Sequence, residues 1–327
     1  MTGKQTSEDP SEGKISFKKI LVPTDFSACA DHAFAYALDL ARRHAAAVDL
    51  LHVVGPLEGS AYSPLYYSPE AAVRHSTPDT LIYEHLMATI DRHDTAGVRV
   101  DPVQRRGTAI APTILDFAEK EYIDLIVMGT QGRRGMQRFL IGSLVEKIVR
   151  WAPCSVLTVR EGAQPSSPPQ RILVPVDFSA FSEGLLRYAG ALAGCYGAGL
   201  DLLHVVEPLP SGGAFSGALP ALEYTRIMEG RAREHLLDLV GKTNAPAPET
   251  RLHVESGHAA AGILDFAERT GVDLIVLATQ GRSGIERFLI GSVAERVVRT
   301  APCPVLTVKV TVTPVDAEAV HQAQATA

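Results

Sequence analysis

Residues 20–28 read ILVPTDFSA, and residues 172–180 read ILVPVDFSA. The two stretches differ only at Thr24 against Val176. An Ile-Leu-Val run without polar alternation reads as a strand covered on both faces, as in a parallel sheet flanked by helices. Ser27 then precedes the amphipathic run SACADHAFAYALDLARRH, where its hydroxyl is placed to cap a helix. Working outward, DLLHVV at Asp49 returns at Asp201, again 152 positions on, and DLIV at Asp124 returns at Asp273, 149 on. A period this long describes two whole domains, since solenoid repeats run about 20–50 residues.

Within the first copy, strand KKILVP, the helix after Ser27 and strand VDLLHVV lead into an irregular stretch rich in Gly, Ser, Pro and Tyr. A helix around Leu81 to Asp91, strand VRVDPV, helix TILDFAEKEY, strand DLIVMG, a glycine loop, helix SLVEKIVRW and strand SVLTV follow. This βαβαβαβαβ order predicts an α/β class, a doubly wound five-stranded parallel sheet of flavodoxin-like or Rossmann-like kind, made twice. The boundaries read as a tail over 1–15, a first domain over 16–161, a Pro- and Ser-rich linker over 162–170, a second domain over 171–310 and a tail over 311–327, both tails disordered.

Composition narrows the function classes. The 327 residues carry 31 basic and 37 acidic side chains, net −6, so no general positive field gathers nucleic acid or an anionic membrane. No apolar run approaches a membrane span and the polar start MTGKQTSEDPSEGK is unlike a signal peptide, so a cytoplasmic location is expected. Cys29, Cys154, Cys195 and Cys303 have no CxxC spacing and are expected to be buried, reduced thiols. VGKTN at Val240 imitates the end of a P-loop, but Leu236 stands where its first glycine belongs. No dehydrogenase, hydrolase or metalloprotease motif is present.

In doubly wound sheets ligands sit beyond the carboxyl ends of the strands where the strand order reverses, which for a flavodoxin-like order with strand 1 central is between strands 1 and 4. Strand 1 ends at Pro23, Thr24 and Asp25, and strand 4 at Gly129. In the second copy these are Pro175, Val176 and Asp177, with Ala278 to Gly281. Gly129, Gly132 and Gly142 follow GxxG, nine residues, then Gly-Ser, and SLVE reads as a capping box with Ser143 as N-cap and Glu146 at N3. Glycines let main-chain N–H groups wrap an anion, and a helix N-terminus completes a phosphate cradle. The same residues also serve as plain turns and a plain cap. Asp25 and Asp177 read either as site residues or as helix-start caps, and His52 and His204 as satisfied core histidines. Arg133, Arg134 and Arg138, with Arg282 and Arg287, either close over phosphates or stay solvated.

The combination of ILVPTDFS, LLHVV, DLIVMGTQG and the spaced glycines ending in GS, with their second-copy counterparts, resembles the universal stress protein family over nearly all of both halves. The resemblance implies an adenine nucleotide alpha hydrolase-like sheet and, in members keeping GxxGx₉G(S/T), ATP in the crevice, with or without Mg²⁺. It places Asp25 at the ribose, main chain at Val53 against the adenine, and Gly129, Gly132, Gly142 and Ser143 at the phosphates, with Met128, Arg133 and Leu144 beside them. The second set is Asp177, Val205, Gly281, Gly291 and Ser292, with Leu277, Arg282 and Val293 beside them. Ala278 departs from the pattern at the first glycine. If that position needs positive φ, the first site should bind ATP more tightly than the second. Asp25 is the only acidic candidate for catalysis, so an ATP-binding regulatory protein with at most slow hydrolysis is expected, the alternatives being a slow ATPase or a nucleotide-free interaction scaffold. The resemblance further implies that the two domains pair with each other, or that the chain forms a homodimer.

Overall fold

The computed structural model describes residues 15–55, 78–130, 142–160, 168–208, 221–243, 249–279 and 291–309. The expected tails apart from the buried Ile15, most of the linker, most of the irregular stretch after strand 2, and Gly132, Arg133, Arg134, Arg138, Gly281, Arg282 and Arg287 lie outside them. The chain divides at Ser167/Pro168 into two compact units.

The first unit runs β1 (Lys19–Pro23), α1 (Ala28–His44), β2 (Ala47–Val54), α2 (Pro78–Asp91), β3 (Val100–Arg106), α3 (Ile110–Lys120), β4 (Leu125–Gly129), α4 (Ser143–Trp151) and β5 (Ser155–Val159). Its strands are all parallel, in the order β3-β2-β1-β4-β5. The second runs β6 (Arg171–Pro175), α5 (Ser182–Tyr196), β7 (Gly199–Val206), α6 (Ala221–Thr243), β8 (Thr250–Ser256), α7 (Ala259–Thr270), β9 (Leu274–Ala278), α8 (Ser292–Thr300) and β10 (Val305–Val308). Its order is β8-β7-β6-β9-β10, again parallel. The order turns back between β1 and β4, and between β6 and β9, the flavodoxin-like order with the first strand of each copy central. Ile20, Leu21 and Val22, with Ile172, Leu173 and Val174, are fully buried, which explains why these strands read as unbroken apolar runs.

Two repeated motifs serve this frame. The aspartate of each DLIV ties down the start of the first strand: Asp124 Oδ2 accepts from the N–H groups of Lys18 and Lys19, and Asp273 Oδ2 from those of Gln170 and Arg171. The VGKT imitation forms the last turn of α6, which settles it as helix rather than phosphate loop.

At the starts of the strands each copy buries an aspartate, Asp49 on β2 and Asp201 on β7. Asp201 is fully buried and takes Arg171 and Arg251, the latter 3.1 Å from Oδ1, together with His253 at 2.9 Å. Asp49 meets Lys19 at 3.2 Å, while its register neighbour on β3 is another carboxylate, Asp101. Burial pushes the Asp49 carboxyl above its ordinary range, opposed by Lys19 and reinforced by Asp101 and Glu121. Burial also works against the charge on Lys19, but its bonds to Glu121 and Asp49 outweigh it and raise this group.

Candidate functional site

Beyond Pro23 the chain leaves the sheet with Thr24, whose N–H donates to Leu51 O at 2.8 Å. The buried ring of His52 fixes the same residue from β2, its Nδ1 2.8 Å from Thr24 O. A carbonyl only accepts, so this nitrogen carries the proton. The second copy repeats both contacts, Val176 N to Leu203 O and His204 Nδ1 to Val176 O at 2.7 Å. The two histidines are thus core residues, and each anchors the strand end that presents the aspartate.

Asp25 Oδ1 accepts from the Ser27 N–H, an Asx turn, and Ser27 Oγ accepts from the Ala30 N–H as the cap of α1. Between them Phe26 lies in the left-handed region at φ 61°, and Phe178 matches it at 56°. For a ring-bearing residue this costs about 1–2 kcal/mol and marks a place where the surroundings over-determine the backbone. Each phenylalanine packs on the strand histidine, Phe26 on His52 at 4.7 Å and Phe178 on His204 at 4.4 Å between ring centres. The second copy differs in one respect. Its helix α5 starts at Ser182, with Phe181 at the cap position and no side-chain capping bond, so Ser179 does not cap as Ser27 does. Asp177 Oδ1 accepts from both the Ser179 N–H and the Ser182 hydroxyl.

On the neighbouring strand Met128 is buried and Gly129 closes β4. Thr130 N–H donates to Val159 O, and Thr130 O accepts from Gly142 N–H at 3.4 Å. The glycine loop therefore leaves and rejoins the sheet at one point. Thr279 and Gly291 repeat this bond at 3.2 Å. The expected capping box is corrected here: Gly142 and Gly291, which have no side chain to cap with, are the N-caps, and Ser143 and Ser292 are the first helical residues, both exposed. Glu146 pairs with Arg150 one turn on. Leu144 and Val293 follow, half-buried, while Val53 and Val205 lie near the ends of β2 and β7.

The condition of positive φ at position 129 is not met. Neither Gly129 nor Ala278 adopts a left-handed φ. A methyl on Gly129 would meet Cys29 of α1, at 2.7 Å from Sγ and 2.8 Å from its carbonyl oxygen, so the glycine answers to helix packing and not to a turn. Cys29 corresponds to Phe181, which sits outside α5, and Leu277 and Ala278 end β9 there.

Cys29, Cys154 and Cys303 are buried free thiols, but Cys195 is exposed, contrary to the expectation for all four. Burial, with Asp273 nearby, pushes the Cys303 thiol up to about 12, so it stays protonated. Among the described residues no group of three His, Cys, Asp or Glu is arranged to hold a metal, and no helix is long and apolar enough to cross a membrane.

The model of the Universal stress protein family matches this chain twice, over residues 16–160 and 169–309. The chain belongs to the universal stress protein family. A universal stress protein of Methanocaldococcus jannaschii is 36% identical over 144 residues, 43% of this chain and 82% of that protein. One from Mycolicibacterium smegmatis is 27% identical over 297 residues, covering 89% of this chain and 96% of its own length, so the tandem arrangement is shared. Among solved structures, a universal stress protein from Archaeoglobus fulgidus superposes with a TM-score of 0.62 at 21% identity, over 91% of this chain and 98% of that one. A functionally unknown protein from Pseudomonas aeruginosa does so with 0.62 at 21%, over 94% and 97%. These structural likenesses establish the universal stress protein fold.

One repeated element escaped the sequence reading. Glu84-His85-Leu86 on α2 returns as Glu234-His235-Leu236 on α6, and both histidines reach the crevice phenylalanines. The signal was the tripeptide repeat itself, 150 positions apart.

Proposed function

We propose that each copy binds ATP in the crevice beyond β1 and β4, or β6 and β9, and that the chain works as a nucleotide-dependent regulatory component of the stress response, with hydrolysis slow at most. The observation that carries this is the start of α4: Gly142 caps it through its backbone, leaving the exposed Ser143 hydroxyl and first-turn N–H groups for an anion, at the sheet end where Asp25 stands. The second copy repeats it at Ser292 and Asp177. On this reading the phosphates take Gly132, Gly142 and Ser143 with Arg133 closing over them, the ribose takes Asp25, and the adenine takes main chain at Val53. In the first copy a methyl at this place would face Cys29 of α1, and on this reading Ala278 turns the same way and leaves the second cradle usable. The family resemblance of the spaced glycines supports the same ligand.

Calorimetry of the full chain with ATP, NAD and FMN tests the reading. ATP is expected to bind most tightly, and equal or tighter NAD binding refutes it. Gly132→Val is expected to weaken ATP at the first site at least tenfold, about 1.4 kcal/mol, because a branched side chain fills the space where main chain approaches phosphate.

A further inference from the structure

The repeated histidines of α2 and α6 are exposed, yet each lays its ring on the residue beside the crevice aspartate. His85 stands 5.5 Å from Phe26 and His235 stands 5.3 Å from Phe178, ring centre to ring centre. Each phenylalanine therefore touches two imidazoles, one from the sheet and one from the covering helix. His85 is itself held to its helix, with Nδ1 2.8 Å from Leu81 O. Phe26 is held from a third side, its N–H donating to Thr24 Oγ1 at 3.0 Å.

The strain at this residue persists through the duplication, whereas strain elsewhere among the described residues does not. The first copy places Ala45 and Tyr122 in the left-handed region at helix ends, and the second copy has Gly197 and Gly271 at those positions. At Phe26 and Phe178 both copies keep the ring and the positive φ. A glycine would relax this turn, but it would also remove the surface that the two imidazoles grip.

We infer that His85 and His235 are positioning residues for the nucleotide: by holding Phe26 and Phe178 in the left-handed conformation they fix Asp25 and Asp177 in the orientation that meets the ribose hydroxyls. This rests on the reading of the crevice as an ATP site. A residue that orients a ligand group through one rigid neighbour acts on the contact that neighbour makes, and leaves remote contacts as they were. The phosphate cradle at α4 and α8 is such a remote contact.

The test uses the full chain, unaltered and as His85→Ala/His235→Ala, titrated with ATP and with 2′,3′-dideoxy-ATP, which lacks both ribose hydroxyls. The unaltered chain is expected to prefer ATP. The double variant is expected to lose about tenfold in ATP affinity while binding the dideoxy analogue unchanged, because only the oriented carboxylate is lost. His85→Phe/His235→Phe, which keeps a ring against each phenylalanine, is expected to restore ATP binding to within about twofold. An alanine variant that still prefers ATP as the unaltered chain does overturns the inference and leaves the ATP reading intact. Equal losses for both nucleotides, an unaltered chain with no preference, or a phenylalanine variant as weak as the alanine one overturn it too. An unaltered chain that binds neither nucleotide overturns the inference and the ATP reading together.

Discussion

Ala45 ends the first helix of the first copy with φ 52°, and Gly197 ends the corresponding helix of the second with φ 67°. Tyr122 and Gly271 stand in the same relation at a later helix end. The buried aspartates diverge similarly, Asp49 beside one lysine and facing Asp101, Asp201 among two arginines and a histidine. In contrast the left-handed phenylalanines, their strand histidines and the Gly-Ser helix starts are the same in both. Structural positions thus drifted toward relief in one copy, while the crevice kept its strained geometry in both. The strain that survives duplication among the described residues lies beside the aspartates of the proposed site, and the strain that does not survive lies at helix ends.

The largest expected break in this comparison is at the aspartates. Asp201→Ala leaves Arg171 and Arg251 without the carboxylate that organises them and is expected to lower stability by about 3 kcal/mol. Chemical denaturation of the full chain, with tryptophan and circular-dichroism signals followed separately, measures it. A loss under about 1 kcal/mol would make the cluster incidental.

Next is the reciprocal exchange at the ends of β4 and β9. Gly129→Ala drives a methyl into the backbone of Cys29 and is expected to cost about 1–3 kcal/mol, whereas Ala278→Gly is expected to cost under about 1 kcal/mol, through backbone entropy alone. Equal costs in thermal melts would show that the two strand ends do not differ in their room for a methyl.

Smaller still is the exchange at the helix ends. Ala45→Gly relieves the left-handed penalty against a gain in chain entropy, for a net stabilisation of about 0.5–1 kcal/mol, and Gly197→Ala should cost a similar amount. Opposite signs in paired melts sharpen the comparison, and like signs break it.

The smallest effect is one of pH. The folded Asp49 carboxyl titrates above its unfolded value of 3.8, so the native chain holds this proton more tightly and its stability falls as pH rises through that window. Asp49→Asn removes the ionisation and is expected to gain stability relative to the unaltered chain between pH 4 and neutrality, as read from melts across that range. A variant that loses ground over the same range contradicts the upward shift.

The parallel α/β class was legible because buried parallel strands are written as apolar runs, and the duplication because its motifs return in register. Other features were illegible for definite reasons. Ser143 followed by Glu146 imitates a capping box, but the preceding glycine reaches the cap conformation first, and no pattern of side chains records that. The role of Gly129 depends on Cys29, a hundred positions earlier in the chain, so neither residue reveals it alone. Asp201 finds Arg251 through the register of β7 with β8, which period-two reading does not supply. His85 and His235 stood on exposed helix faces where a histidine is unremarkable, and only the folded contact with a strained phenylalanine gives them a role.

The hydrogen bond between Thr130 and Gly142, and its counterpart between Thr279 and Gly291, makes each glycine loop a detachable cassette. The sheet itself brings the loop ends together, so the entropy of closing the intervening segment depends only weakly on its length and composition. Libraries grafted between Thr279 and Gly291 therefore test whether the proposed second site can change its ligand while the first keeps its own.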